Sequence, residues 1–283
     1  MIRDQILKGA SKYIEQFKDK LFVIKYGGSI LDDEALSDSI LDDIISLHKY
    51  RIKVVLVHGG GSEISRLMKA RGKEPKFIKG LRVTDEETVK IVDEALSAVN
   101  RNLAHKLSLK GVKADSLISR ERPTIIAKKN EKAPCGDFVG DVASVNIKYI
   151  KDALEKDSIA VVSPVGIGAD KKLYNINADI AAAEISAAAS AEKFIMLTDV
   201  KGVMRKKGDE ESLLSTLKEE DALKLIDSGI IASGMIPKVQ AGISALDKGV
   251  NKVHIISGRI KHSILTEVFT DRGIGTQIVR GRS

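Results

Sequence analysis

The strongest constraint on this chain is an alternation. Short runs rich in β-branched and aliphatic residues are followed by longer stretches in which apolar residues recur every three or four positions. A chain that makes a helix before each new strand builds a largely parallel sheet with helices packed on it. The strand candidates are Leu21 to Tyr26, Lys53 to Val57, Lys113 to Leu117, Ile159 to Val162, Lys193 to Leu197 and Lys252 to Ile256. Between the first two, Leu36, Ile40, Ile44 and Leu47 mark one face of a helix opening near Asp32. Thr84 with Glu87 reads as a capping box, opening a helix that carries Val89, Val92, Ala95, Leu96, Val99 and Leu103 on its inner side. A third helix runs from about Ser233 to near Gly249, a natural residue just past a helix end.

Three segments fall outside that rhythm. Ile2 to Phe17 places Ile6, Leu7, Ala10, Tyr13, Ile14 and Phe17 at helical spacing, which predicts one amphipathic helix that must bury its stripe somewhere. Arg122 to Asn146 carries two alternating patches separated by Asn130, Pro134 and Gly136, and is read as hairpins forming a lid over a site. Ser163 to Asp170 loses regularity and is expected to be a domain boundary.

At 283 residues the chain has room for roughly two domains. With 43% hydrophobic and 30% charged residues it is globular, which excludes disordered, collagenous and disulfide-scaffold classes. No stretch reaches the roughly 18 apolar residues of a membrane span; the run from Ile180 to Ala191 is broken by Glu184, Ser186 and Ser190. The acid-bearing N-terminus does not read as a secretory signal. A lone Cys135 and five scattered histidines give neither an intramolecular disulfide nor zinc spacing, so no metal site is expected and a reducing cytoplasm fits. The net charge of +7 suits anionic ligands, and equally a solvated surface. Lysines interleaved with acids and only 4% aromatics argue against nucleic acid.

Two glycine clusters carry the chemistry: Gly27-Gly28 after the first strand and Gly59-Gly60-Gly61 after the second. Ligands of open α/β sheets bind beyond the carboxyl ends of strands. Consecutive glycines there let backbone N–H groups approach an anion, and a following helix N-terminus adds partial positive charge. Either loop alone is also explained as a tight turn. Lys25 closes an apolar strand, where a charge has little reason to lie unless it projects into the ligand crevice. Lys238 follows Pro237 in a first helical turn, where positive charge is disfavoured unless an anion compensates it. Asn177 and Asp179 read either as a helix cap with its first-turn acid or as a polar cluster facing the ligand. Arg82 lies between apolar residues and has the planar fork that grips a carboxylate at two points, unless it simply faces solvent. Thr198 and Asp199, at another strand end, either meet a nucleotide or cap the next turn.

Together the motifs IKYGGS, VVLVHGGGSEIS, KGLRVTDEET, SPVGIG, YNINAD, AEKFIMLTDVKGV and SGMIPKVQA resemble the amino acid kinase family, and within it the acetylglutamate kinases, over nearly the whole chain. RVTD, NINAD and GMIPKV are the parts that point to that branch. The one departure is Ser29-Ile30 where many relatives have Asn-Ala after the KYGG motif. The resemblance implies a three-layer αβα sandwich around a central, mostly parallel sheet. It implies residues 1–18 as an interlacing helix, 19–172 as a lobe for acetylglutamate binding and dimerisation, and 173–283 as a lobe for ATP and an arginine site. The reaction implied is transfer of phosphate from ATP, with Mg²⁺, to the γ-carboxylate of N-acetyl-L-glutamate, the second step of arginine biosynthesis.

Carried over residue by residue, the resemblance gives Lys25 and Lys238 as stabilisers of the transferring phosphoryl group, with Asp179 orienting both. Gly60, Gly61, Arg82, Asn175 and Asn177 fall to the acceptor, and Gly27, Gly28, Thr198, Asp199 and Gly202 to the nucleotide. The N-terminal helix and the segment from His262 to Thr276 are similar to the arginine-sensitive branch, whose helix interlaces dimers into a hexamer. That branch implies an L-arginine effector near Tyr13, His262, Glu267 and Gly275. Some relatives also bind a nitrogen-signalling PII protein, a further partner class. A kinase for aspartate or a carrier-linked aminoadipate, and a non-catalytic arginine sensor, are the alternatives; Arg82 with NINAD speaks against the first, and retention of both lysines with Asp179 against the second.

Overall fold

The computed structural model of the chain describes residues 2–281 except 79, 132, 134–136, 207, 233 and 272, and gives only the backbone of 2 and 29. Cys135, Pro134, Gly136 and Ser233 therefore lie outside the described residues. Two short helices, α1 (Ile2–Lys8) and α2 (Ser11–Phe17), precede the first strand, β1 (Leu21–Tyr26). Then come α3 (Glu34–Lys49), β2 (Lys53–His58), α4 (Gly61–Ala70), the small hairpin β3 (Phe77–Ile78) and β4 (Leu81–Arg82), and the long α5 (Glu86–Leu109). β5 (Ala114–Leu117), β6 (Ile125–Lys129), β7 (Val139–Val145), α6 (Lys148–Glu155), β8 (Ile159–Val162), β9 (Val165–Gly168) and β10 (Leu173–Ile176) follow. The remainder is α7 (Ala178–Ala188), β11 (Lys193–Thr198), β12 (Thr216–Lys218), α8 (Glu219–Asp227), α9 (Met235–Asp247), β13 (Lys252–Ser257), α10 (Ser263–Phe269) and β14 (Thr276–Val279).

Eight strands form the central sheet in the order β12-β14-β13-β11-β1-β2-β8-β5. Every neighbouring pair is parallel except β13 with β14. All six expected strands are present, with ends within one residue of those read from the sequence. The two outermost strands on one side, β12 and β14, are the ones the sequence pattern did not show.

The period of two along a strand sorts the core into two layers. Val23, Val55 and Val57 point to one face, where α6, α7 and α9 cover them through Ile150, Ala182 and Val239. Phe22, Ile24, Tyr26, Val54 and Leu56 point to the other, under α3, α5 and α10. By the same parity Lys25 projects toward the layer of α7 and α9, and His58 toward the layer of α5. Helix α7 buries Ala181, Ala182, Ala183 and Ile185, so it lies close against β1 and α9. That close approach brings three separate elements to one point.

The four strands β10-β7-β6-β9 close into a small barrel beside the sheet. The segment 122–146 thus makes a β6–β7 hairpin, as expected, and the stretch around 163–170 is strand β9 rather than an irregular linker. The first helix differs from the reading of one continuous element. It breaks at Gly9 and Ala10, whose amides bond back to Ile6 and Leu7, and α2 restarts with Ile14 N–H on Ala10 C=O. Ala10 and Phe17 are fully buried, and Phe17 packs edge-on to Phe22 with ring centroids 5.3 Å apart, so the stripe is covered partly by the chain itself. The expected capping box is also replaced. Asp85, not Thr84, caps α5 by accepting from Thr88 N–H at 2.8 Å, while the Thr84 hydroxyl donates to Arg82 C=O.

A buried carboxylate ties α3 to α10. Asp43 is fully buried, contacts His262 Nδ1 at 2.8 Å, and accepts from Ile264 N–H at 3.2 Å and Leu265 N–H at 3.4 Å. Burial pushes its carboxyl up to about 6 against the stabilising hydrogen bonds. Between about pH 4 and 6 the folded state keeps a proton that the unfolded state has released, so this site's contribution to stability falls as pH rises through that window. The expected outcome is that the stability advantage of the parent over Asp43→Asn shrinks by up to about 3 kcal/mol from pH 4 to 7. Urea unfolding at each pH checks it; a constant difference would show that Asp43 keeps the same charge in both states.

Candidate active site

Three charged groups meet where β1 ends and α7 and α9 begin. Asp179 lies in the first turn of α7, positioned by Asn177, whose side-chain oxygen accepts from Asp179 N–H at 2.8 Å and Ile180 N–H at 3.2 Å. Lys25 Nζ lies 3.0 Å from Asp179 Oδ1, and Lys238 Nζ donates to Asp179 Oδ2 at 2.7 Å. The side chains of Lys25, Asp179 and Lys238 are 8%, 7% and 17% exposed, so little water screens them. Burial pushes the Lys25 ammonium down from its ordinary range, Asp179 pulls it back, and Lys238 adds repulsion. Burial would raise the Asp179 carboxyl, yet the two lysines outweigh it and hold it below the usual range. One carboxylate thus faces two ammonium groups, leaving a surplus positive charge.

Both glycine loops adjoin this point. The Gly59 amide bonds to Tyr26 C=O at 2.6 Å, and a Cβ on Gly27 would stand 3.3 Å from Gly59 Cα and 3.0 Å from Lys25 Nζ. Gly28 adopts φ +73°, which favours glycine, and a Cβ there would lie 3.3 Å from Asp199 Oδ2. Asp199 is in turn 3.6 Å from the Arg259 guanidinium.

On one side a cavity of about 190 Å³ is lined by Gly60, Gly61, Arg82, Asn175 and Asn177 together with the apolar Ile64, Leu96 and Ile176. Arg82 is buried, and its described partners are all neutral: Gly61 C=O at 2.7 Å, Ser65 Oγ at 2.9 Å, Met68 Sδ at 3.2 Å and the Phe77 ring. A buried guanidinium so placed invites an anion. Asn175 Nδ2 donates to Thr84 Oγ1 at 3.2 Å and so fixes the wall facing Arg82. On the other side an apolar cavity of about 190 Å³ is lined by Gly202, Val203, Met204, Ile230, Ile231 and Met235. A Cβ on Gly202 would come within 2.5 Å of Thr276 Oγ1, so only glycine fits there. Residues at the start of α7 line the first cavity, and Met235 at the start of α9 lines the second. Ala178 adjoins Asp179 on α7, and Met235 lies three residues before Lys238 on α9, so each cavity is lined by a residue close in the chain to the lysine–aspartate cluster.

Residues 20–257 match the model of the amino acid kinase family. The chain belongs to the amino acid kinase family. Within it, an acetylglutamate kinase of Aquifex aeolicus is 44% identical over 97% of this chain and 96% of its own length. One from Clostridioides difficile is 43% identical over 95% and 94%. Among solved structures, the N-acetylglutamate synthase of Neisseria gonorrhoeae complexed with coenzyme A and N-acetyl-glutamate superposes with a TM-score of 0.86 at 27% identity, over 99% of this chain and 64% of that one. The same synthase complexed with coenzyme A and L-arginine gives a TM-score of 0.82 at 28% identity, over 97% of this chain and 65% of that one.

The residues expected for an effector are less gathered than Lys25, Asp179 and Lys238. Tyr13 Oη donates to Asp271, His262 is engaged by Asp43, and Gly275 packs on the Ile255 carbonyl, where a Cβ would clash. Glu267 accepts from Ile274 N–H at 2.9 Å and is 2.7 Å from the nitrogen of a different histidine, His254. His254 and Lys193 are buried beside it, and burial pushes the Lys193 ammonium down to about 8. Sequence reasoning missed both, although Lys193 opens an apolar strand and carries the same signal that singled out Lys25.

Asp179 is the sole counter-charge described between the two lysines. Asp179→Asn is expected to lower stability by roughly 3–5 kcal/mol, because two desolvated ammonium groups then face each other. Inorganic triphosphate should raise the variant's melting temperature more than the parent's, since the anion replaces the lost charge. Equal shifts in a thermal-melt titration would show that the lysines do not face the phosphates.

Proposed function

We propose that the chain transfers the γ-phosphoryl group of ATP to the γ-carboxylate of N-acetyl-L-glutamate, forming N-acetyl-L-glutamyl 5-phosphate for arginine biosynthesis. The observation that supports this reading is the buried Lys25–Asp179–Lys238 cluster, with its surplus positive charge, at helix starts that also line a cavity holding Arg82 and an apolar slot. The apolar slot with Gly202 takes the nucleobase, and Thr198, Asp199 and the Gly27-Gly28 turn follow the nucleotide toward the phosphates. Arg82 holds the acceptor's α-carboxylate, Asn175 contacts its acetylated amine, and Gly60 and Gly61 offer amides to the reacting carboxylate. Asn177 contributes through its cap, which fixes Asp179.

A γ-carboxylate, with a pKa near 4.3 in free glutamate side chains, is ionised at neutral pH and needs no general base. Catalysis then rests on alignment and on neutralising charge spread over the transferring oxygens. Lys25 and Lys238 supply that positive charge from opposite sides, and Asp179 holds them in place. Mg²⁺ arrives with ATP and neutralises phosphate charge. Both Asp179 oxygens already face ammonium groups, so Asp179 would serve the lysines rather than hold the metal, which phosphates and water would coordinate.

Residues 19–172 form the acceptor lobe in this reading and 173–283 the nucleotide lobe, in a homodimer that residues 1–18 join into a hexamer. A reducing cytoplasm suits its metabolite substrates. L-Arginine acts as feedback inhibitor beside α10, its guanidinium on Glu267; the arginine-bound synthase supports this. His254 and Lys193 then join Tyr13, His262 and Gly275 around the effector.

Acyl phosphate trapped with hydroxylamine should form with N-acetyl-L-glutamate in preference to L-glutamate, L-aspartate and 2-aminoadipate, and Lys25→Ala or Lys238→Ala should cut the rate by about 100-fold or more. Preference for another acid would replace the substrate; no product from any acid would favour a sensor. For the effector, Glu267→Gln should raise the arginine concentration for half-inhibition by roughly 10- to 100-fold. Unchanged inhibition curves would remove Glu267 from the site.

A further inference from the structure

His58 is fully buried at the end of β2, yet nothing in the reaction above uses it. Its Nδ1 lies 2.7 Å from Gly59 C=O, and its Nε2 lies 3.1 Å from the Asn100 amide nitrogen on α5. The orientation of that amide is fixed from outside. Asn100 Nδ2 donates to Val161 C=O at 2.9 Å, an acceptor that cannot donate, and the Ser116 hydroxyl donates to Asn100 Oδ1. Asn100 must therefore present an N–H to His58 Nε2, which must accept. The remaining ring proton is then on Nδ1 and is donated to Gly59 C=O. Burial pushes the imidazole down to about 4, so it stays neutral at physiological pH.

The bonded carbonyl belongs to the same planar trans peptide as the Gly60 N–H, so holding one aims the other the opposite way. That amide has no acceptor among the described residues, and Gly60 lines the acceptor cavity. Helix α5 presses on the same peptide from behind: a Cβ on Gly60 would lie 2.6 Å from Leu96 Cδ2.

We infer that Asn100 and His58 form a positioning relay, in which the Nδ1–H tautomer of His58 locks the Gly59–Gly60 peptide and aims the Gly60 N–H at the acceptor's reacting carboxylate. The inference rests on the phosphoryl-transfer reading for what the amide meets. The tautomer and the anchored peptide stand apart from it.

The test uses the full-length enzyme in two parts. Nitrogen-15 spectra of histidine-labelled protein should show His58, identified by the resonance that His58→Asn removes, as a neutral Nδ1-protonated ring from pH 6 to 8. An Nε2-protonated ring or an imidazolium would overturn the relay. In kinetics, His58→Gln places its polar atoms near the former Nε2 and should lower kcat by about 100-fold with little change in KM for ATP. His58→Asn puts its amide nitrogen at the Nδ1 place and should recover most of that loss. Equal losses in both variants, with both folded by circular dichroism, would overturn the positioning role. If His58→Gln does not fold, the tautomer result alone decides. A parent enzyme inactive on every acid would defeat the proposed reaction, while the spectra still decide the anchor.

Discussion

The site depends on one carboxylate shared by two ammonium groups. Lys25 and Lys238 come from elements more than two hundred residues apart, and each alone would be a desolvated cation at the edge of a core. Asp179 is stable there because it lies in the first turn of α7, where the helix end favours negative charge and Asn177 already satisfies two amides. The alanines of α7 supply the rest, since only small side chains let the helix approach β1 and α9 closely enough for both contacts. Chemistry and packing are here the same constraint.

Parity along the strands distributes the remaining tasks. Lys25 shares its face of β1 with Val23 and so belongs to the α7–α9 layer. His58 shares its face of β2 with Val54 and Leu56 and so belongs to the α5 layer. The lysine–aspartate cluster is thereby built on one side of the sheet and the His58 contact to the Gly59 carbonyl on the other, and the two glycine turns meet where Gly27 approaches Gly59. A side chain on either glycine would crowd the other's Cα and push the two loops apart.

Much of this was legible before any coordinates. The central strands are largely apolar runs, so their ends could be read closely; β12 and β14 are short, carry Thr, Lys and Gln, and lie at or beside the edge of the sheet, so no run of apolar residues announces them. The break between α1 and α2 was hidden because Gly9-Ala10 leaves the apolar stripe in phase on both sides. Asp85 rather than Thr84 is the cap, and the Thr84 hydroxyl instead donates to Arg82 C=O and accepts from Asn175 Nδ2, the second contact being set by a distant strand rather than by local spacing. The lysines and the glycines stood out because each breaks a local rule: a charge ending an apolar strand, a cation at a helix start, glycines where a turn needs fewer; Asp179 obeys the helix-start preference for acids and stood out only through its motif.

The histidines show where that logic stops. His262 was visible in the sequence as a polar residue opening α10, but its partner is Asp43 on α3, while Glu267 faces His254 from β13. Nothing local separates the two, since each precedes an apolar stretch and the choice is made by which strand and helix the sheet order sets side by side. His58 is a third instance. Its place in the HGGG motif marks a loop, but its tautomer is decided by Val161 and Ser116 on neighbouring strands, through an asparagine more than forty residues away. Lys25 and Lys238 break a local pattern, whereas His58, which touches only the backbone and Asn100, stays in the core and looks like packing. The strand order that places β8 beside β2 and β5 beside β8 therefore shapes the Gly59–Gly60 loop as much as the glycines themselves do.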